Sequence, residues 1–288
     1  MTPRDILLAV AVAAIWGFAF VPIRLGVEEM PPLLLTAMRF LFSAVPAIAF
    51  VRPPRAPARL VVAFGIVLGV VKFGLLFTAM KLGMPVGLSS LVMQMQVFFT
   101  IVLAAVLLRE RPTRLQLLAI AIALAGIGII ALSKDRGAPL GPFLMALAAA
   151  FCWGVANMLA RQAKGADMLA FIVWSSLVAP APLLALSLLI EGPAAVTAAL
   201  SHPSWTVIGS VLFLAYGATL FCFSVWTRLL KTYPAAVVTP FALLVPVSGF
   251  LSGWLVMGEA MPPAVIAGSA LVLLGLAINV FGPRLTRR

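Results

Sequence analysis

The chain has 288 residues, of which 64% are hydrophobic and 10% charged, against about 45–50% and about 25% in an ordinary soluble domain. So apolar a chain lacks the polar groups to cover a soluble exterior, and a mean hydropathy of +1.18 makes lipid its solvent. A transmembrane β-barrel is excluded too, because barrel strands alternate apolar and polar residues, whereas these runs are continuous and rich in Leu, Ala, Val and Gly.

The expected fold is an all-α integral membrane bundle. A crossing takes roughly 20 apolar residues. The charged and Pro- or Gly-rich breaks then predict ten transmembrane helices: Asp5–Ile23, Leu33–Val51, Leu60–Met80, Pro85–Leu108, Leu115–Leu132, Pro139–Ala160, Met168–Ile190, Trp205–Leu229, Pro234–Met257 and Pro262–Phe281. The first run is too long for a signal-peptide core and leads into Arg24, Glu28 and Glu29 without a small-residue cleavage pattern, so it is expected to stay as a span.

The formal net charge of +12 would suggest nucleic acid in a soluble protein. Here the basic residues cluster between apolar runs, where the positive-inside rule accounts for them. With both termini cytoplasmic, 14 Lys and Arg fall inside and 4 outside (Arg24, Lys81, Lys134 and Arg136), leaving Arg39 and Lys72 within spans. That split predicts a multi-pass membrane protein with both termini cytoplasmic. Its expected partners are the bilayer and a small-molecule substrate, not nucleic acid, and a monomer is compatible with the sequence. Cys152 and Cys222 lie 70 positions apart inside apolar runs, and His202 is the single histidine, so no metal site, redox pair or cofactor is expected.

The two halves resemble each other. Trp16-Gly17 recurs as Trp153-Gly154, each with an arginine eight positions on, Arg24 and Arg161. Pro85, Glu110 and Gly126 recur as Pro234, Glu259 and Gly275 at a spacing of 149. Residues 1–135 and 136–288 thus form two predicted repeats of five spans each. An odd number inverts the second copy, giving a 5+5 inverted-repeat bundle of the kind that supports alternating access.

The stretches Ala14–Arg24 (AIWGFAFVPIR), Gly83–Thr100 (GMPVGLSSLVMQMQVFFT), Leu108–Pro112 (LRERP) and Leu243–Gly249 (LLVPVSG) carry a resemblance along the whole chain. The protein resembles the drug/metabolite transporter superfamily, specifically its EamA-type ten-helix bacterial exporters, and looks closest to members that export cysteine, O-acetylserine and other amino acids. The resemblance implies a central cavity between the halves and export of small metabolites.

Among candidate site residues, Lys72 stands about thirteenth in a 21-residue span, near the bilayer midplane and too deep to snorkel. All eight acidic residues fall at span ends or in loops, so its expected partner is the carboxylate of a substrate, the alternative being backbone carbonyls in a hydrated crevice. Gly65 and Gly69 share one face beside it. Arg39, roughly 9 to 10 Å from a span end, is expected to reach the headgroups. Trp16 and Phe20, and in the second half Trp153 and Asn157, share helix faces suited to a central axis. Asn157 is either a tie between helices or a substrate contact. Ser89, Met93, Gln96 and Thr100 form a polar stripe that favours Gln96 for the cavity and leaves Gln94 with Ser90 for packing. Trp174, Ser175, Tyr216 and Trp226 are weaker candidates.

The resemblance therefore implies a secondary exporter of amino acids and related metabolites, against two alternatives. An exporter of drug-like cations would want a membrane-buried carboxylate. A membrane enzyme acting on lipid-linked substrates would need a catalytic cluster to which only Glu110 or Glu259 could contribute. No phosphate-cradling glycine loop argues for ATP; Gly65–Gly69 and Gly249–Gly253 read as small-residue packing faces.

Overall fold

In the computed structural model, which describes residues 1–133, 137–163 and 165–285, all regular structure is helical. In lipid every backbone N–H and C=O must find a partner within the chain, and helices achieve this segment by segment. The protein is an all-α membrane protein. Its main helices are α1 (Pro3–Glu29), α2 (Pro32–Ile48), α3 (Ala58–Lys81), α4 (Val86–Leu107), α5 (Arg114–Leu132), α6 (Leu140–Gln162), α7 (Met168–Ile190), α8 (Pro193–Ser201), α9 (Trp205–Thr232), α10 (Thr239–Met257) and α11 (Pro263–Leu285). Among the described residues, nine of these are long and apolar enough to cross a membrane, and α2 is a shorter apolar helix of 17 residues.

Several boundaries differ from the sequence expectation. The first helix runs on past Ile23 to Glu29, because Arg24 and Glu28 pair at i, i+4 and extend it by more than a turn. The segment expected to be a plain loop after the seventh span contains α8, which starts on a proline in the first turn and packs Val196 into the main core.

The irregularities of the helices repeat with the sequence. π-helical turns occupy Gly65–Lys72 in α3 and Phe213–Phe221 in α9, overlapping at the spacing of 149. The helix of α4 is interrupted by a turn at Gln94–Met95, and α10 begins with the 3₁₀ turn Thr239–Leu243, again in register. Both α4 and α10 end on a left-handed residue, Arg109 (φ 55°) and Gly258 (φ 64°). The next amide then reaches back six residues, from Glu110 to Ala104 at 3.3 Å and from Glu259 to Gly253 at 3.0 Å. Both bonds close the helix end around the left-handed residue, one residue wider than a Schellman motif.

Packing departs from that symmetry. The N-terminal half of α4 lies directly on the C-terminal half of α10, where Gly87, Gly249 and Gly253 let the backbones meet: a Cβ on Gly249 would collide with Ser90, and one on Gly87 with Phe250. The opposite halves of the same helices make no comparable contact. Helices α4 and α10 are therefore tightly packed at the end carrying Pro85 and Glu259 (the Glu259 end) and apart at the end carrying Glu110 and Arg161 (the Glu110 end).

Candidate functional site

The buried face of α2 carries Thr36, Arg39 and Ser43, 0%, 5% and 0% exposed. Arg39 therefore points into the bundle and not to the headgroups, which corrects the expectation that it anchors at the surface. The polar residues three positions before it and four after mark the same face. Its Nη2 donates to Thr219 Oγ1 at 2.9 Å, while Ser43 Oγ donates to the Arg39 carbonyl at 2.7 Å. Its Nε is buried without a hydrogen-bond partner among the described residues. Thr219 is available because the π-helical turn redirects its hydroxyl to the Leu214 carbonyl five residues back, at 2.8 Å.

Lys72 ends the π-helical turn of α3 and is 3% exposed. Its Nζ lies 3.3 Å from the centroid of Phe73 and 4.5 Å from that of Trp153. Arg39 Cζ lies 4.2 Å from the same Phe73 ring and 4.8 Å from Phe40. Two cations so close to one ring centre are within 7.5 Å of each other. Close packing of Gly65 against the Ser175 carbonyl and of Gly69 against Ala179 holds the α3 turn in place, as the glycine face suggested.

No carboxylate among the described residues reaches this pair. At the Glu259 end, Glu259 accepts from the backbone of Val86 and Gly87 at 2.5 and 3.0 Å. There too Glu191 accepts from Leu33 at 2.8 Å and Leu34 at 3.4 Å, so both acids cap helix starts. At the other end, Asp5, Glu110 and Asp167 pair with Arg228, Arg161 and Lys231 at 2.7, 2.6 and 2.7 Å. The Arg161 guanidinium holds the Glu110 carboxyl below the usual carboxylate range, and the Lys231 hydrogen bond does the same for Asp167. A buried cation–π contact is worth about 2 kcal/mol, against an effective penalty of several kcal/mol for each desolvated ion. Aromatic faces alone do not offset two buried cations.

Trp153 leads from Lys72 to a polar knot. One turn on, Asn157 Nδ2 donates to Gln96 Oε1 at 2.6 Å and to Thr100 Oγ1 at 3.0 Å, joining α6 to α4. On the other side, Trp16 Nε1 donates to the Ala218 carbonyl at 2.9 Å, next to Thr219 and hence to Arg39. Lys72, Trp153, Asn157, Gln96 and Trp16 are thus linked through neighbouring contacts. The remaining expected residues lie apart from this chain of contacts. Phe20 is packed in the main core at 8% exposure, Trp174 Nε1 donates to the Val51 carbonyl at 3.0 Å, Ser175 is buried with an unpartnered hydroxyl, and Tyr216 is 39% exposed.

The Ser89–Met93–Gln96–Thr100 stripe does not form one face: Ser89 and Met93 are buried, and the turn at Gln94–Met95 breaks the helical spacing before Gln96. Gln94 is a tie as expected, but to the other half, its Nε2 donating to the Ala242 carbonyl at 3.1 Å. Among the described residues no group of three or more His, Cys, Asp or Glu is placed to hold a metal ion.

Known proteins similar to the chain match it along its length. A protein of Salmonella typhimurium named probable amino-acid metabolite efflux pump is 40% identical over 100% of this chain and 98% of its own length. One of the same name in Escherichia coli K12 is 38% identical over 99% and 97%. A probable terminal-alkyne amino-acid exporter of Streptantibioticus cattleyicolor is 29% identical over 91% and 89%. A solved crystal structure with 22% identity superposes over 100% of both chains with a TM-score of 0.64, a likeness of fold. The family match covers residues 4–132 and again 141–281: the chain belongs to the EamA-like transporter family, and is a transporter and not an enzyme.

Proposed function

We propose that this transporter exports amino acids and related small metabolites from the cytoplasm across the bacterial inner membrane. In this reading ten spans form a 5+5 inverted repeat of residues 1–135 and 136–288, with both termini cytoplasmic. The observation that carries it is Lys72, buried beside Trp153 and Phe73 without a carboxylate among the described residues. A substrate carboxylate supplies the missing charge through a charge-assisted hydrogen bond. Trp153, Asn157, Gln96 and Trp16 are the proposed neighbours of that substrate. The names of the relatives support the substrate class.

Alternating access is supported by the unequal ends. Glu259 fastens α4 to α10 at one end, while Glu110, its counterpart 149 residues earlier, pairs with Arg161 of α6 and not with α10. With the basic asymmetry setting orientation, the Glu110 end is cytoplasmic. In transport the caps exchange: α4 and α10 close at that end, with Glu110 at the turn beginning at Ala235, and the Glu259 cap is released. A drug-like cation would meet Arg39 and Lys72 with no buried acid to receive it. Liposomes containing purified protein and offered radiolabelled amino acids, nucleosides and cationic drugs test the reading. Uptake of amino acids is expected; uptake of the cations alone would reverse the assignment.

A further inference from the structure

We propose that Arg39 and Lys72 together form a two-cation receptor, and that the substrate it selects is a net-anionic amino-acid derivative, such as an acidic or N-acylated amino acid, in preference to a simple zwitterion. The inference rests on the proposed reading of Lys72 as substrate-facing and adds a second cation, Arg39, which the sequence alone would place at the membrane surface.

Three observations carry it. Both side chains are at least 95% buried and lie against one ring, Phe73, on neighbouring helices. Arg39 offers a donor that nothing in the chain receives: its Nη2 is held by Thr219, but its Nε is buried and unpartnered. An unsatisfied guanidinium N–H within about 7.5 Å of an ammonium is a receptor for oxygen anions, since the fork of Arg matches a carboxylate and Lys adds a point charge. The third observation concerns what is missing for a substrate ammonium. The spans hold no free carboxylate among the described residues. The aromatic faces that would accept an ammonium, Phe40, Phe73 and Trp153, are already taken by the protein's own cations. A zwitterion brings one charge the site wants and one it repels. An N-acylated amino acid brings only the first, and a dicarboxylate brings two of it.

The test uses the full-length protein in detergent and reads the shift of its thermal unfolding with alaninamide, alanine, N-acetylalanine and N-acetylglutamate. Apparent affinity should rise in that order, by at least tenfold from alanine to N-acetylglutamate. Arg39→Gln should weaken N-acetylglutamate binding tenfold or more while changing alanine by less than twofold, and Arg39→Lys should keep most of the difference. The order in the wild-type protein decides the matter even if Arg39→Gln fails to fold. Alanine binding as tightly as N-acetylglutamate, an unchanged order in Arg39→Gln, or no binding by any of the four overturns the receptor. Counterflow of labelled alanine in liposomes separates the two claims. Alanine exchange without preference for anions leaves the exporter and removes the receptor. Absent exchange of every amino acid removes the exporter reading, and the binding order alone then judges the receptor.

Discussion

Glu110 and Glu259 occupy the same place in the two halves, each directly after a left-handed residue that closes its helix, yet Glu259 holds the backbone of α4 across the bundle while Glu110 holds Arg161. The same local structure thus serves one end where α4 and α10 are fastened together and one where they are not. A helix-capping group contributes about 1 kcal/mol, close to a fivefold change in an equilibrium. Glu259→Gln should therefore loosen the Glu259 end: a single cysteine replacing Leu88, 2% exposed on α4, should react about fivefold faster with a soluble maleimide. An unchanged rate would deny the cap a role in closing that end.

Glu110→Gln separates stability from transport. Both partners of the Glu110–Arg161 pair are about half exposed, 50% and 47%, and such pairs contribute at most about 1 kcal/mol. Thermal unfolding should stay near wild type. Transport should fall severalfold, because the proposed alternating cycle brings Glu110 to the start of the helical turn that begins at Ala235, the counterpart of Val86. Wild-type transport in Glu110→Gln would contradict the exchange of caps.

The pH dependence follows from the same carboxylates. Glu110 and Asp167 are held below the usual range by Arg161 and Lys231. A depressed value means that their ties are fully present above about pH 4, the unperturbed range, and are lost only as pH falls through the lower folded values. Between pH 5 and 8 both stay charged. The pH profile of transport over that interval should keep its shape in Glu110→Gln, measured as initial uptake rates; a shifted profile would show that Glu110 titrates there.

Trp16→Phe removes the indole donor to the Ala218 carbonyl within the π-helical turn of α9. The lost hydrogen bond contributes about 0.5–1.5 kcal/mol. Amide exchange over Phe213–Phe221 should speed up more than that over α5 and α11. Uniform exchange across the bundle would show that the turn does not depend on Trp16.

Much of the bundle is legible in the apolar runs, because lipid leaves the backbone few choices. The ends of α1 and α9 run past the runs because charged residues such as Arg24, Glu28, Arg228 and Lys231 extend a helix as well as they interrupt hydrophobicity. Lys72 is visible as a cation with no acid near it in the chain. Arg39 is not, since its reach allows either headgroups or core, and only the arrival of Phe73 from α3 and Thr219 from α9 settles the direction. The joining of Asn157 to Gln96 likewise needs two helices 61 positions apart in sequence and a break at Gln94–Met95 that no local pattern announces.

Orientation is tested by single cysteines in a background without Cys152 and Cys222. Ser133→Cys and His202→Cys should label in intact cells with an impermeant reagent, while Thr113→Cys and Gly165→Cys stay silent until the cells are opened, as the 14 to 4 division of basic residues requires. The reverse pattern would invert the protein and turn the proposed export into import.

Lys72 as receiver of the substrate carboxylate is tested by initial-rate uptake of a labelled acidic amino acid by liposomes containing wild-type protein or Lys72→Gln. Glutamine keeps polarity and approximate length but removes the charge, and a lost charge-assisted bond of about 1.5–3 kcal/mol predicts a loss of roughly tenfold or more in kcat/KM with unfolding temperature near wild type. Equal kcat/KM for the two proteins would make Lys72 a structural residue and contradict the account.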